Sequence, residues 1–222
     1  MASHSQGAPP IRYGWVVGLM LVVPGAVLAW FAGGALHYLT DWSVASFTPY
    51  YWGRRIGLLV HIVPGMVASS VGLAQVWLGL TGRSGVAHRL LGRVYVVAVG
   101  TGCGGAVYLA LTIPGHFAYA SGLFFLAMAW AVTTVMAVVT IRARMVAAHR
   151  YWMLRSYTVT FAFALLRVVD QPLHWLIPVP ADPVADQIGT MTAWASWALP
   201  LLALDVVFQL RRIISENRQS HR

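Results

Sequence analysis

Six apolar stretches, each 20 to 25 residues long, recur along the chain at residues 15–36, 56–80, 94–113, 121–141, 156–177 and 191–210. A helix that crosses a bilayer needs about 20 apolar residues. The pattern therefore predicts an all-α integral membrane bundle of six transmembrane helices. One large water-soluble core is excluded, because only 9% of the residues are charged against about 25% in a soluble domain. The implied organisation is a flexible tail at 1–14, a six-helix domain at 15–210 and a basic tail at 211–222. The first apolar stretch is too long for a signal-peptide core and reads as a retained anchor.

The net charge of +9 comes from fifteen arginines and no lysine. The arginines sit in short connections between apolar segments, which argues against a nucleic-acid surface. Arg83, Arg89 and Arg93 precede the third segment, Arg142, Arg144, Arg150 and Arg155 the fifth, and Arg211, Arg212, Arg218 and Arg222 follow the sixth. With Arg12 they fall on one side of a six-span chain, and the positive-inside rule makes that side cytoplasmic. The expected topology is N-in/C-in, in the bacterial cytoplasmic (inner) membrane. Only Arg54 and Arg55 break the rule. Trp15 and Trp152 would sit at the inner interface, and Trp42, Tyr50, Tyr51, Trp52 and Trp175 at the outer one, where amphipathic rings are enriched. The single cysteine, Cys103, permits no intrachain disulfide.

The fifth segment carries the most informative polar pattern. Arg167, Asp170, Gln171 and His174 recur at helical spacing, with Thr160 and Ser156 further back on the same face. Arg167 falls near mid-bilayer, where an arginine costs about 2.5–3.5 kcal/mol on insertion scales, so a pair with Asp170 is expected. The second segment offers His61, Gly65, Ala68, Gly72, Gln75 and Gly79 in steps of four and three, a small-residue seam that lets a helix or a flat ligand approach. Pro64 removes one backbone donor there and permits a kink.

His37, His61 and His174 fall at the outer ends of their segments. Histidines so placed could ligate haem iron in pairs, bind a transition metal, or form a proton-linked or quinone site. Taken as haem ligands, His61 and His174 are the axial pair, His37 a substitute or neighbour, and Arg54 and Arg55 partners for propionates. His88 and His149, beside arginines at the other face, form a second, inner candidate site. Asp205 is expected to meet Arg211, Arg212 or lipid headgroups, and His116 to be a loop residue. Motifs for phosphate, dinucleotide or covalent haem binding are absent from the sequence.

His88-Arg89…Gly92-Arg93-x-Tyr95 and His149-Arg150-x-Trp152-Met153-x-Arg155-Ser156 echo one another. With His61, Pro64-Gly65 and Arg167, they resemble a bacterial family of predicted membrane proteins known only as a domain of unknown function. A looser similarity joins the chain to membrane haem proteins of the cytochrome b561 and ferric-reductase type. That likeness implies haem b as cofactor and electron transfer as activity, with a membrane redox partner or quinone. Against it stands a non-enzymatic module that transports or senses a metal through the same pocket, or an assembly partner with no ligand. The lipid bilayer is the common partner in every case, and homo-oligomerisation stays open.

Overall fold

The computed structural model of the protein describes residues 14–82, 85–176 and 184–220, and every regular element in them is helical. In chain order these are α1 (Gly14–Thr40), α2 (Val44–Trp52), α3 (Arg55–Leu80), α4 (Val86–Leu111), α5 (Phe117–Arg142), α6 (Val146–Leu176) and α7 (Val184–Ser220). Over their described residues, five helices, α3 to α7, are long and apolar enough to cross a membrane. The further span expected at 15–36 lies inside the 27-residue α1, only part of whose side chains belong to the described residues. Of the tail expected at 1–14, Gly14 opens α1, while residues 1–13, with Arg12, and the side chain of His174 lie outside the described residues.

The helices exceed the apolar stretches at the arginine-rich end. α4 begins eight residues before the expected 94 and α6 ten before the expected 156. His88, Arg89, Arg93, His149, Arg150 and Arg155 thus belong to helices rather than to loops. Arginine is a good helix former, and a hydropathy boundary marks where lipid ends, not where a helix does. α7 likewise continues through Arg211 and Arg212 to Ser220, so the basic segment up to that point is helical. α3 continues through Pro64 as one helix.

Polarity is arranged for lipid. Val97, Leu111 and Phe117 are exposed, whereas Ser156, Thr160, Thr134, Thr192 and Ser196 are buried. α3 packs along α4, α5 along α6 and α6 along α7, while α1 lies against α3 and α6. The main core joins Ala68, Tyr95, Val99, Trp130, Val159 and Ala162 from four helices. α3 and α6 also touch; a Cβ on Gly72 of the seam would lie 2.3 Å from the Tyr157 ring. Sequence periodicity did not foresee α2. Its N-terminus is capped by the Ser43 hydroxyl, which accepts from the Ser46 N–H at 3.2 Å, and Phe47 anchors it, fully buried against Leu58 and Ile62.

Candidate functional site

Glycines on α4 set up the site. A Cβ on Gly105 would lie 2.7 Å from the His61 backbone nitrogen and 3.0 Å from the Gly57 carbonyl oxygen. Only glycine allows the two helix backbones to approach this closely. A Cβ on Gly102 would meet the Trp130 ring at 3.1 Å. The approach carries the His61 ring to the Gly102 carbonyl, with Nδ1 at 3.1 Å from the oxygen. A carbonyl only accepts, so Nδ1 carries the proton and donates. Nε2 is left with its lone pair, as in imidazoles that bind metals. Trp130 and Phe163 stand edge-on to the ring, at centroid distances of 6.5 and 5.5 Å. The sequence signal for this approach is the run Gly100-Thr101-Gly102-Cys103-Gly104-Gly105, whereas the seam on α3 had drawn attention to the other helix.

His61 borders a cavity of about 630 Å³ between α1 and α6, walled also by Arg54, Tyr51, Tyr119, Trp130, Phe163 and Arg167. That volume lies in the range of about 300–1,000 Å³ typical of small-molecule and cofactor sites. Three of the candidate cofactor-binding residues, His61, Arg54 and Arg167, therefore meet at one cavity, together with Gly65 of the seam and Thr160 of the polar face. Burial pushes the Tyr51 phenol above its ordinary range, with Arg167 pulling the other way, so it offers a neutral O–H donor.

The other candidates are placed differently. His37 lies outside the cavity wall, its Nδ1 and Nε2 facing the carbonyls of Gly34 and Ser46, and it ties α1 to α2. Arg54 and Arg55 have partners within the chain. Arg54 donates to the Tyr50 carbonyl at 2.8 Å and to the Thr112 carbonyl at 3.1 Å, with its guanidinium 4.0 Å from the Tyr50 ring centroid. Arg55 donates to the Trp52 carbonyl at 2.7 Å and lies over that residue's ring. Cations at helix C-termini and over aromatic faces are favourable. Their exception to the charge rule thus has a cause that involves no ligand.

Arg167 and Asp170 part company. The two ion pairs among the described residues are Arg155–Asp205 and Arg212–Glu216, and the expected Arg167–Asp170 pair is not one of them. Three residues fall about 60° short of a full helical turn. Arg167 turns into the cavity, 5.4 Å from the Phe163 ring centroid, whereas Asp170 accepts from the Thr192 hydroxyl of α7 at 2.9 Å. Asp205 also corrects an expectation. Its partners are Arg155 and Tyr151 of α6, because packing of α6 on α7 brings them to its level, and Arg212 turns to Glu216 one helical turn on. Among the described residues no group of three or more His, Cys, Asp and Glu gathers as a metal site would.

The family model described as "Predicted membrane protein (DUF2306)" matches residues 58–206. The chain belongs to that family. The looser likeness to cytochrome b561 and ferric reductases is not among the matches, and neither a curated protein nor a solved structure matches the chain. The DUF2306 match takes in His61, Gly102, Trp130 and Arg167, and starts after His37, Arg54 and Arg55. It also spans His88 and His149 at the arginine-rich end, well away from the cavity. His149 Nδ1 donates to the Ala137 carbonyl at 2.9 Å, while His88 Nδ1 is buried without a hydrogen-bond partner.

Proposed function

We propose that this DUF2306 protein is a six-span, N-in/C-in component of the bacterial cytoplasmic membrane whose cavity holds a b-type haem for electron transfer. The observation that carries the reading is the tautomer of His61 set by the Gly102 carbonyl, which leaves Nε2 unprotonated on a side chain that lines a cavity of cofactor size. A haem joins an iron that needs such a lone pair to a broad apolar ring, and when bound it supplies one-electron chemistry. His61 would hold the iron, its ring kept in register by the Gly102 carbonyl. Trp130 and Phe163 would keep water from the ring edge, and Arg167 on the wall would meet an acid group. His174 is the candidate for a second residue to hold the iron; His37 fits that role poorly, because both its ring nitrogens already face carbonyls. A quinone or a membrane redox protein would exchange the electron. His88 and His149 remain a second candidate pair at the cytoplasmic end.

A second reading has its own support: among the described side chains, one imidazole reaches the cavity. The site would then bind a lipophilic molecule by hydrogen bonds, as a carrier or sensor without redox chemistry. Haem content separates the two. Protein expressed with ample haem should retain about one haem per cavity in a pyridine haemochrome assay, and the same preparation with none would favour the second reading.

A further inference from the structure

We propose that the occupant of the cavity is an amphipathic organic acid whose anionic group is bound by Arg167. The inference rests on the cavity being a ligand site but does not depend on iron. Arg167 lies within a helix of membrane-spanning length and its side chain lines the cavity. Its contact there is the Phe163 ring, 5.4 Å from the guanidinium carbon. Among the described residues no hydrogen-bond acceptor or carboxylate reaches it. Arg54, on the same wall, differs: it is satisfied by the carbonyls of Tyr50 and Thr112. Arg155, buried to a similar degree at the other end, is matched by Asp205. Asp170, three residues on, shares Tyr119 as an electrostatic neighbour with Arg167, but it accepts from Thr192 and makes no ion pair with the guanidinium.

A guanidinium cannot deprotonate to escape burial. In a site bounded by rings and aliphatic chains, it therefore favours an occupant that brings the missing negative charge. Tyr51 and Tyr119 line the same space within electrostatic reach of Arg167, so their O–H groups can add hydrogen bonds to an oxyanion. The remaining wall, with Phe31, Leu58, Ile62, Leu126 and Phe163, calls for an apolar body of aromatic or branched shape.

Two fluorescent probes with one body test the charge: 1-anilino-8-naphthalenesulfonate, an anion, and N-phenyl-1-naphthylamine, which lacks the sulfonate. Each is titrated into protein in nanodiscs, and the signal of empty nanodiscs is subtracted. The anion should bind at least about tenfold tighter than the neutral probe, the scale of a hydrogen bond to a charged group. Arg167→Gln should erase that preference and leave the neutral probe unchanged, whereas Arg167→Lys should keep part of it. Gly65 lines the cavity, and a Cβ there meets no atom within 4 Å. Gly65→Leu should therefore fill the space and weaken both probes. If a co-purified occupant blocks the probes, mass analysis should identify an acid that Arg167→Gln releases. Equal affinity for the two probes, an Arg167→Gln variant with undiminished preference, or a neutral occupant would overturn the proposal. Colourless protein that still prefers the anion would sink the haem reading alone.

Discussion

Tyr95 of α4 and Ser156 of α6 share a hydrogen bond of 2.8 Å at a point where neither side chain is exposed at all. The phenol is also 2.7 Å from the Thr160 hydroxyl, which accepts from Trp130 Nε1 at 2.8 Å, and Thr134 closes on Ser156 at 2.7 Å. The cluster joins three helices at the cavity wall, to which Trp130 and Thr160 belong. Tyr95→Phe leaves every remaining donor an acceptor, because Thr160 can donate to the Ser156 carbonyl and Thr134 to that of Trp130. Its cost should be about 0.6 kcal/mol, and at most about 1.7. Thr160→Val removes the hydroxyl to which Trp130 Nε1 donates at 2.8 Å, leaves only the Tyr95 oxygen within its reach, and should cost about 1–3 kcal/mol. Reversible unfolding in one detergent checks the order; a larger loss for Tyr95→Phe would contradict it.

Close approach of α3 and α4 gives a second test. Gly105→Ala pushes a methyl group into the His61 backbone and should cost about 1–3 kcal/mol by overpacking. Gly104→Ala, next along the chain, meets no atom within 4 Å and should stabilise by about 0.5–1 kcal/mol through helix propensity. Equal effects at the two positions would mean that the helices do not pack through Gly105.

Charge coupling should follow the observed partners. The Arg155 and Asp205 side chains are 18% and 37% exposed, so solvent screens the pair and its coupling should be near 1 kcal/mol. A double-mutant cycle of Arg155→Gln and Asp205→Asn should show it. The same cycle on Arg167 and Asp170, which make no ion pair with each other, should be additive within about 0.5 kcal/mol. Strong coupling in the second cycle would restore the ion pair that the sequence suggested.

Topology is a separate prediction. Cysteine labelling after Arg93, Arg150 and the C-terminus should report cytoplasm, and labelling after Pro49 and Pro183 the outside. A C-terminus outside would contradict six spans and turn the cavity to the other face.

Much of this bundle was legible in the sequence, because hydropathy over 20-residue windows reports lipid contact directly. The helix ends were not, since Arg89 and Arg150 continue helices that hydropathy ends at the apolar boundary. His61 was found from its place on the α3 seam. Its partner was missed, because the Gly102 carbonyl belongs to the backbone and the glycines that admit it lie on a different helix. Spacing alone put Arg167 beside Asp170. The 60° between them along α6 decides which way each turns, and that depends on the positions of α3 and α7, which no local pattern encodes. Arg54 and Arg55 are anomalous against a charge rule until their acceptors are seen: the Tyr50 and Trp52 carbonyls of α2, unseen in the periodicity, and the Thr112 carbonyl at the end of α4.

The central claim is that His61 presents a ligating nitrogen to a haem in the cavity, and the reduced-minus-oxidised optical spectrum of purified protein tests it most directly. Wild-type protein should show split b-type bands, lost in His61→Ala and retained in His37→Ala and His116→Ala. Loss in His174→Ala as well would identify the second ligand. A wild-type protein without absorbance in the visible range, or a spectrum unchanged in His61→Ala, would contradict the account.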